Sequence, residues 1–185
     1  MKKKNFVIAE VMVFFAVTAG AVFLWNIYEL SGKSTISILF GAVNSSVWEK
    51  AKGLSICWLL FGLTELMCVK PSFRCFVASK ALGLCVSLIL FIFLDSLFTG
   101  NLFFDILILT VSVAAGCICT YILSVSEVNL RSFFAPACFL LMLIFMMTFS
   151  FTAFAPKLGI FRDPYTGCYG IISPSFDMGA VALGR

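Results

Sequence analysis

The sequence predicts an all-α fold: an integral membrane bundle of five transmembrane helices, with an interfacial or re-entrant segment between helices 1 and 2. Two observations carry this. The chain of 185 residues is 62% hydrophobic and 12% charged, with 22 Phe, against about 25% charged residues in a soluble domain. Five apolar runs, each bounded by charges, turn residues or both, cover 6–28, 54–69, 76–94, 103–125 and 133–154. A helix rising about 1.5 Å per residue needs about 20 residues to cross a hydrocarbon core of about 30 Å. Four runs meet that length, and 54–69 reaches it by borrowing Ala51, Lys52 and Gly53.

The first run follows Met1-Lys2-Lys3-Lys4, which is also how a secretory signal begins, and Ala19-Gly20-Ala21 has the small residues of a cleavage site. The run continues through Val22-Phe23-Leu24-Trp25 to a full spanning length, and Glu10 interrupts what would be the signal core. A retained first span is therefore expected. Spans 2 and 3 are joined by Lys70-Pro71-Ser72, a turn that forces antiparallel neighbours. In span 4, Ala114, Ala115 and Gly116 allow close helix contact. Span 5 is rich in Leu, Phe and adaptable Met, which suits lipid-facing filler.

Orientation follows from Lys and Arg near the span ends. With the N-terminus inside, Lys2, Lys3, Lys4, Lys70, Arg74, Lys80 and Arg131 lie inside, against Lys33, Lys50, Lys52, Lys157, Arg162 and Arg185 outside. The lysine triplet before the first span tips the choice to a multi-pass cell-membrane protein with N-terminus inside and C-terminus outside. The chain then divides into a five-span helical domain, 1–155, and an extramembrane tail, 156–185, that is not an independent domain. The net charge of +4 is scattered at span ends and forms no nucleic-acid stripe.

Ionisable groups within spans are costly unless paired or wet. Glu65 and Lys80 flank the short turn between spans 2 and 3, and helical rise puts them at matching depth, so they are expected to form an intramembrane charge pair. Lys80 could instead snorkel to the surface. Glu10, at similar depth, is expected to be balanced by the lysine triplet.

Two stretches are unusual. Residues 36–43 are apolar but too short to cross, as in re-entrant or interfacial segments. After them, Asn44 or Ser45 can cap a helix, and Ser46 with Glu49 has capping-box spacing. In the tail, Pro156 ends span 5 and Asp163-Pro164-Tyr165-Thr166-Gly167 is turn chemistry, with Tyr165 and Tyr169 placed near headgroup level.

Three elements carry a resemblance: Tyr28-Glu29-Leu30-Ser31-Gly32, then Val43-Asn44-Ser45-Ser46-Val47-Trp48-Glu49-Lys50-Ala51-Lys52, then Asp163-Pro164-Tyr165-Thr166-Gly167-Cys168-Tyr169-Gly170-Ile171. Together they resemble a family of small bacterial multi-span membrane proteins known as a domain of unknown function. The resemblance implies fold and membrane location, and no activity. The chain departs from that pattern, which has Glu where Ser45 stands and His at Lys50 and near Trp25. Metal or proton chemistry at those positions would be lost here.

The chain has no histidine, which excludes His-based triads, His-liganded haem or iron and H-E-x-x-H proteases. Cys57, Cys68, Cys85, Cys117, Cys119 and Cys138 lie in spans and suit inert thiols, leaving Cys168 in the tail as the reactive one. No cofactor and no metal are expected, and no catalytic motif is recognisable.

Three functional classes remain. An interaction or accessory membrane protein comes first, with the lipid bilayer and a possible membrane-protein partner. A small-solute or ion transporter comes second, with Glu10, Glu65 and Lys80 on its path. A membrane-embedded enzyme acting on a lipid-like substrate is third. The candidate polar site is Glu29, Asn44, Trp48, Glu49, Lys52, Arg162, Asp163, Tyr165 and Tyr169, in which Arg162 is expected beside Glu29 or Glu49 with Trp48 and a tail tyrosine packed against them.

Overall fold

A computed structural model describes residues 3–69, 72–98, 101–125 and 130–171, with side chains from Asn5 onward. Among them are six α-helices: α1 Lys3–Leu30, α2 Thr35–Phe40, α3 Val47–Val69, α4 Phe73–Leu97, α5 Leu102–Val125 and α6 Phe134–Ala153, the last entered through a 3-10 turn over Leu130–Phe133. No strand is present among the described residues. All but α2 belong to segments long and apolar enough to cross a membrane.

α4 and α5 form the most intimate pair, α1 packs on α3 and α5, and α4 also receives α3 and α6. The close approach of α4 and α5 depends on two glycines that face each other. A Cβ on Gly116 would collide with Ser87 Oγ and lie 2.7 Å from the Gly83 carbonyl oxygen; one on Gly83 would collide with Thr120 Oγ1. Only a residue without a side chain lets the two backbones meet here. The core gathers Val13, Val17 and Ala21 of α1, Leu54, Cys57 and Trp58 of α3, Leu84 and Phe91 of α4, and Leu109, Val113 and Cys117 of α5. The last span turns 11% of its most apolar window inward, against 44% for the spans of α3 and α4, so it lies at the edge of the bundle and shows Phe139, Met142 and Met146 outward.

The sequence-based boundaries shift most at α3. This helix starts at Val47, so Glu49, Lys50 and Lys52 lie on it and are buried. Lys50 and Lys52 are therefore not surface charges flanking a span, as the orientation count takes them to be. Residues 36–43 form the short helix α2 and its exit, with the Ser34 hydroxyl accepting the Ser37 N–H at 3.3 Å. α2 touches α1, α3 and α6, while Ile36, Leu39 and Phe40 are exposed. The 172–185 portion of the expected tail lies outside the described residues.

Candidate functional site

Two groups of buried charges sit toward opposite ends of the bundle. The first is built on the α3–α4 hairpin. Lys80 Nζ lies 2.7 Å from Glu65 Oε2 and 2.8 Å from Glu10 Oε1. The antiparallel pairing sets Glu65 and Lys80 at one depth, and α1 brings Glu10 to the same ammonium, so Lys80 is buried rather than turned to the surface. Glu10 is thus partnered by Lys80; the lysine triplet expected to balance it has its side chains outside the described residues. Trp58 fixes the other side: its Nε1–H donates to the Lys80 carbonyl at 3.1 Å, and the ammonium stands 5.4 Å from the Trp58 ring centroid and 5.7 Å from that of Phe76.

The second group lies where the first loop and the tail meet the helices. Lys52 is fully enclosed, and its three ammonium protons find Glu49 Oε2 at 2.6 Å, Thr152 Oγ1 at 3.0 Å and the Ile38 carbonyl at 3.1 Å. Glu49 Oε2 also accepts the Val43 N–H at 3.1 Å, and Glu49 Oε1 is 3.0 Å from the Thr152 hydroxyl. Two side chains one turn apart on α3 thereby tie together α2, the loop after it and α6. Half of the expected capping box forms: the Glu49 N–H donates to Ser46 Oγ at 3.4 Å. The other half does not, because the Ser46 N–H goes to Asn44 Oδ1 at 3.0 Å, which leaves the Glu49 carboxylate for Val43 and Lys52.

Lys50, next along α3, faces the α4–α5 hairpin, with Asp105 Oδ2 at 2.8 Å and Asp95 Oδ2 at 3.4 Å. Trp25 Nε1–H donates to the Lys50 carbonyl at 2.9 Å, so the two places where the resembled pattern has histidine are neighbours. Asp95 is a site residue that sequence reasoning missed. It stands just beyond the third apolar run, and Asp105 opens the fourth. The same depth-matching that pairs Glu65 with Lys80 across one hairpin would have brought these two together across the next.

The tail elements are held by the fold. Asn44 donates through Nδ2 to the Gly170 carbonyl at 2.9 Å, stapling the first loop to the tail. Trp48 packs edge-on against Phe151 and tilted against Phe161, with ring centroids 5.2 Å apart in each pair. Buried Asp163 organises the turn: its Oδ1 accepts the Tyr165 N–H and its carbonyl accepts the Gly167 N–H, each at 2.9 Å, with Gly167 at φ +70°. Arg162 and Tyr169 pair as an isolated bridge beside it.

The expected clustering of Arg162 with Glu29 or Glu49 is not what forms. Glu49 is turned into the bundle and engaged by Lys52, whereas Arg162 is exposed and lays its guanidinium over Gly167. Glu29 is exposed at the close of α1, where Lys33 N–H to Tyr28 O at 3.0 Å and Gly32 N–H to Glu29 O at 3.2 Å complete a Schellman stop. Trp48 packs on phenylalanines instead of on Tyr165 or Tyr169, both of which are exposed. Beside the turn is an open cavity of about 850 Å³ lined by Val47, Ser96, Arg162, Tyr165 and Gly167 among others. Among the described residues no three Asp, Glu or Cys side chains are grouped as metal ligands.

These features define a class: an all-helical protein with five helices compatible with membrane spans, interior charge groups, and a first loop locked to the C-terminal tail. Within that class, the chain belongs to the family of unknown function DUF6512, whose sequence profile matches residues 1–171. No curated protein and no solved structure matches the chain.

Proposed function

We propose that this is a multi-pass cell-membrane protein with an interaction or accessory role, its N-terminus inside, and its loop–tail surface the part that meets a membrane-protein partner. The observation that carries this reading is the way the polar residues of the two segments are divided. Glu49, Lys52, Asn44 and Asp163 are buried or turned to contacts within the fold, while Arg162, Tyr165 and Tyr169 are exposed, the first two lining an open cavity. An Arg fork flanked by aromatic rings suits a partner segment that brings a carboxylate and an apolar side chain. Enzymatic action on a lipid-like substrate has less support, because both Glu49 oxygens already have partners. A transport reading draws on the two groups of interior charges, which in membrane helices often mark solute paths.

The test is a photoreactive amino acid placed at Tyr165 in native membranes. A discrete protein adduct, absent when the probe replaces Met142 on α6 and lost on Arg162→Glu, is the expected outcome. Adducts at Tyr165 that match those at Met142 would refute a partner surface. Solute flux in vesicles abolished by Lys80→Met yet indifferent to Arg162→Glu would move the assignment to transport.

A further inference from the structure

The interior group at Lys80 contains two carboxylates and one ammonium, and no second cation is ion-paired with either carboxylate among the described residues. Glu10 Oε2 and both oxygens of Glu65 are buried without a hydrogen-bond partner, Glu65 Oε2 being ion-paired with Lys80. Such a group is costly to leave unmatched in an apolar setting. Glu10 also lines a cleft of about 460 Å³ between α1 and α5. Its walls are Val11 and Phe14 on one side and Ala114, Ile118 and Tyr121 on the other. Val11 and Ile118 are exposed, so the cleft opens sideways on the apolar flank of the bundle, not at either end.

A volume of this size holds a drug-sized molecule. The walls ask for an apolar body, and the floor asks for positive charge. An acyl chain would satisfy the walls alone, and a hydrated inorganic cation the floor alone. Phe14 and Tyr121 add aromatic rings to the lining, which favours a diffuse cation. We infer that the α1–α5 cleft is a binding site for a lipophilic organic monocation, of the quaternary phosphonium or ammonium type, which enters laterally and is held by the charge of Glu10. The site lies near the opposite end of α1 from the loop–tail surface and does not depend on the partner reading.

The experiment uses the full chain in lipid nanodiscs and radiolabelled tetraphenylphosphonium, with the anion tetraphenylborate, nearly the same shape, measured separately. Saturable binding of the cation to one site per chain is expected, with none of the anion. Glu10→Gln should weaken binding at least about tenfold. The substitution leaves Lys80 paired one-to-one with Glu65. Ala114→Trp fills the cleft without touching the charges and should weaken binding by at least about tenfold too, so the site can be tested even if Glu10→Gln fails to fold. Met142→Trp, on the exposed flank of α6, should change nothing. Uptake that never saturates, or that is equal in wild type and the Ala114→Trp protein, overturns the proposal. Equal binding of tetraphenylborate overturns it as well, since shape alone would then explain occupancy.

Discussion

Replacing Lys52 by Met removes the ammonium from the lock between α3, α6 and the first loop while keeping most of the apolar stem. The loss can be worked from its contacts. Breaking a buried ion pair by deleting one partner costs about 3–5 kcal/mol, because the other charge stays behind. Here Glu49 keeps two neutral donors, the Val43 N–H and the Thr152 hydroxyl, each worth about 1 kcal/mol. The expected loss is therefore near the lower end, about 3 kcal/mol. Removing both charges with Glu49→Gln and Lys52→Met should recover about 2 kcal/mol of that loss. Reversible unfolding in mixed micelles, followed by tryptophan fluorescence, gives the three values needed for a double-mutant cycle. A Lys52→Met loss below about 1 kcal/mol, or a double variant as unstable as the sum of the singles, would refute the lock.

Three further outcomes are expected. Gly116→Ala should cost about 3 kcal/mol or more from the collision with Ser87, whereas Gly159→Ala, which meets nothing within 4 Å, should change stability little; the same unfolding assay compares them. Lys50→Met leaves Asp95 and Asp105 facing each other and should cost about 3–5 kcal/mol, against about 0.5 kcal/mol or less for exposed Lys33→Met. With the other cysteines replaced, Cys168 should react with an impermeant maleimide from outside intact cells; reaction only after permeabilisation reverses the proposed orientation.

The spans were legible because hydropathy averaged over a window of about 19 residues survives single charges. The start of α3 was not, because Glu49, Lys50 and Lys52 fall close together and lower the same average. Their burial depends above all on Asp95, Asp105 and Thr152, distant partners that no local window contains. The meeting of Glu65 with Lys80 could be read from residue counts, since a tight turn leaves two antiparallel helices little freedom of register. The placement of Arg162 could not. It hangs on which way Glu49 turns, and that is decided by Lys52 being one turn along and by the Val43 N–H left open after a loop bend.

The burial of Lys50 and Lys52 also bears on how such a chain is made. If α3 enters the bilayer as it leaves the ribosome, it arrives with two lysines whose partners are mostly still to be synthesised: Asp95, Asp105 and Thr152 all lie further along the chain. Each unpaired lysine near the middle of a span opposes insertion by about 3 kcal/mol on the translocon scale, and less toward its end. Only Glu49, beside Lys52, and the Ile38 carbonyl are present from the start. The third helix is thus a poor solitary passenger. Its entry favours waiting beside the insertion machinery until the α4–α5 hairpin supplies the aspartates, so the order of membrane entry need not follow the order of synthesis.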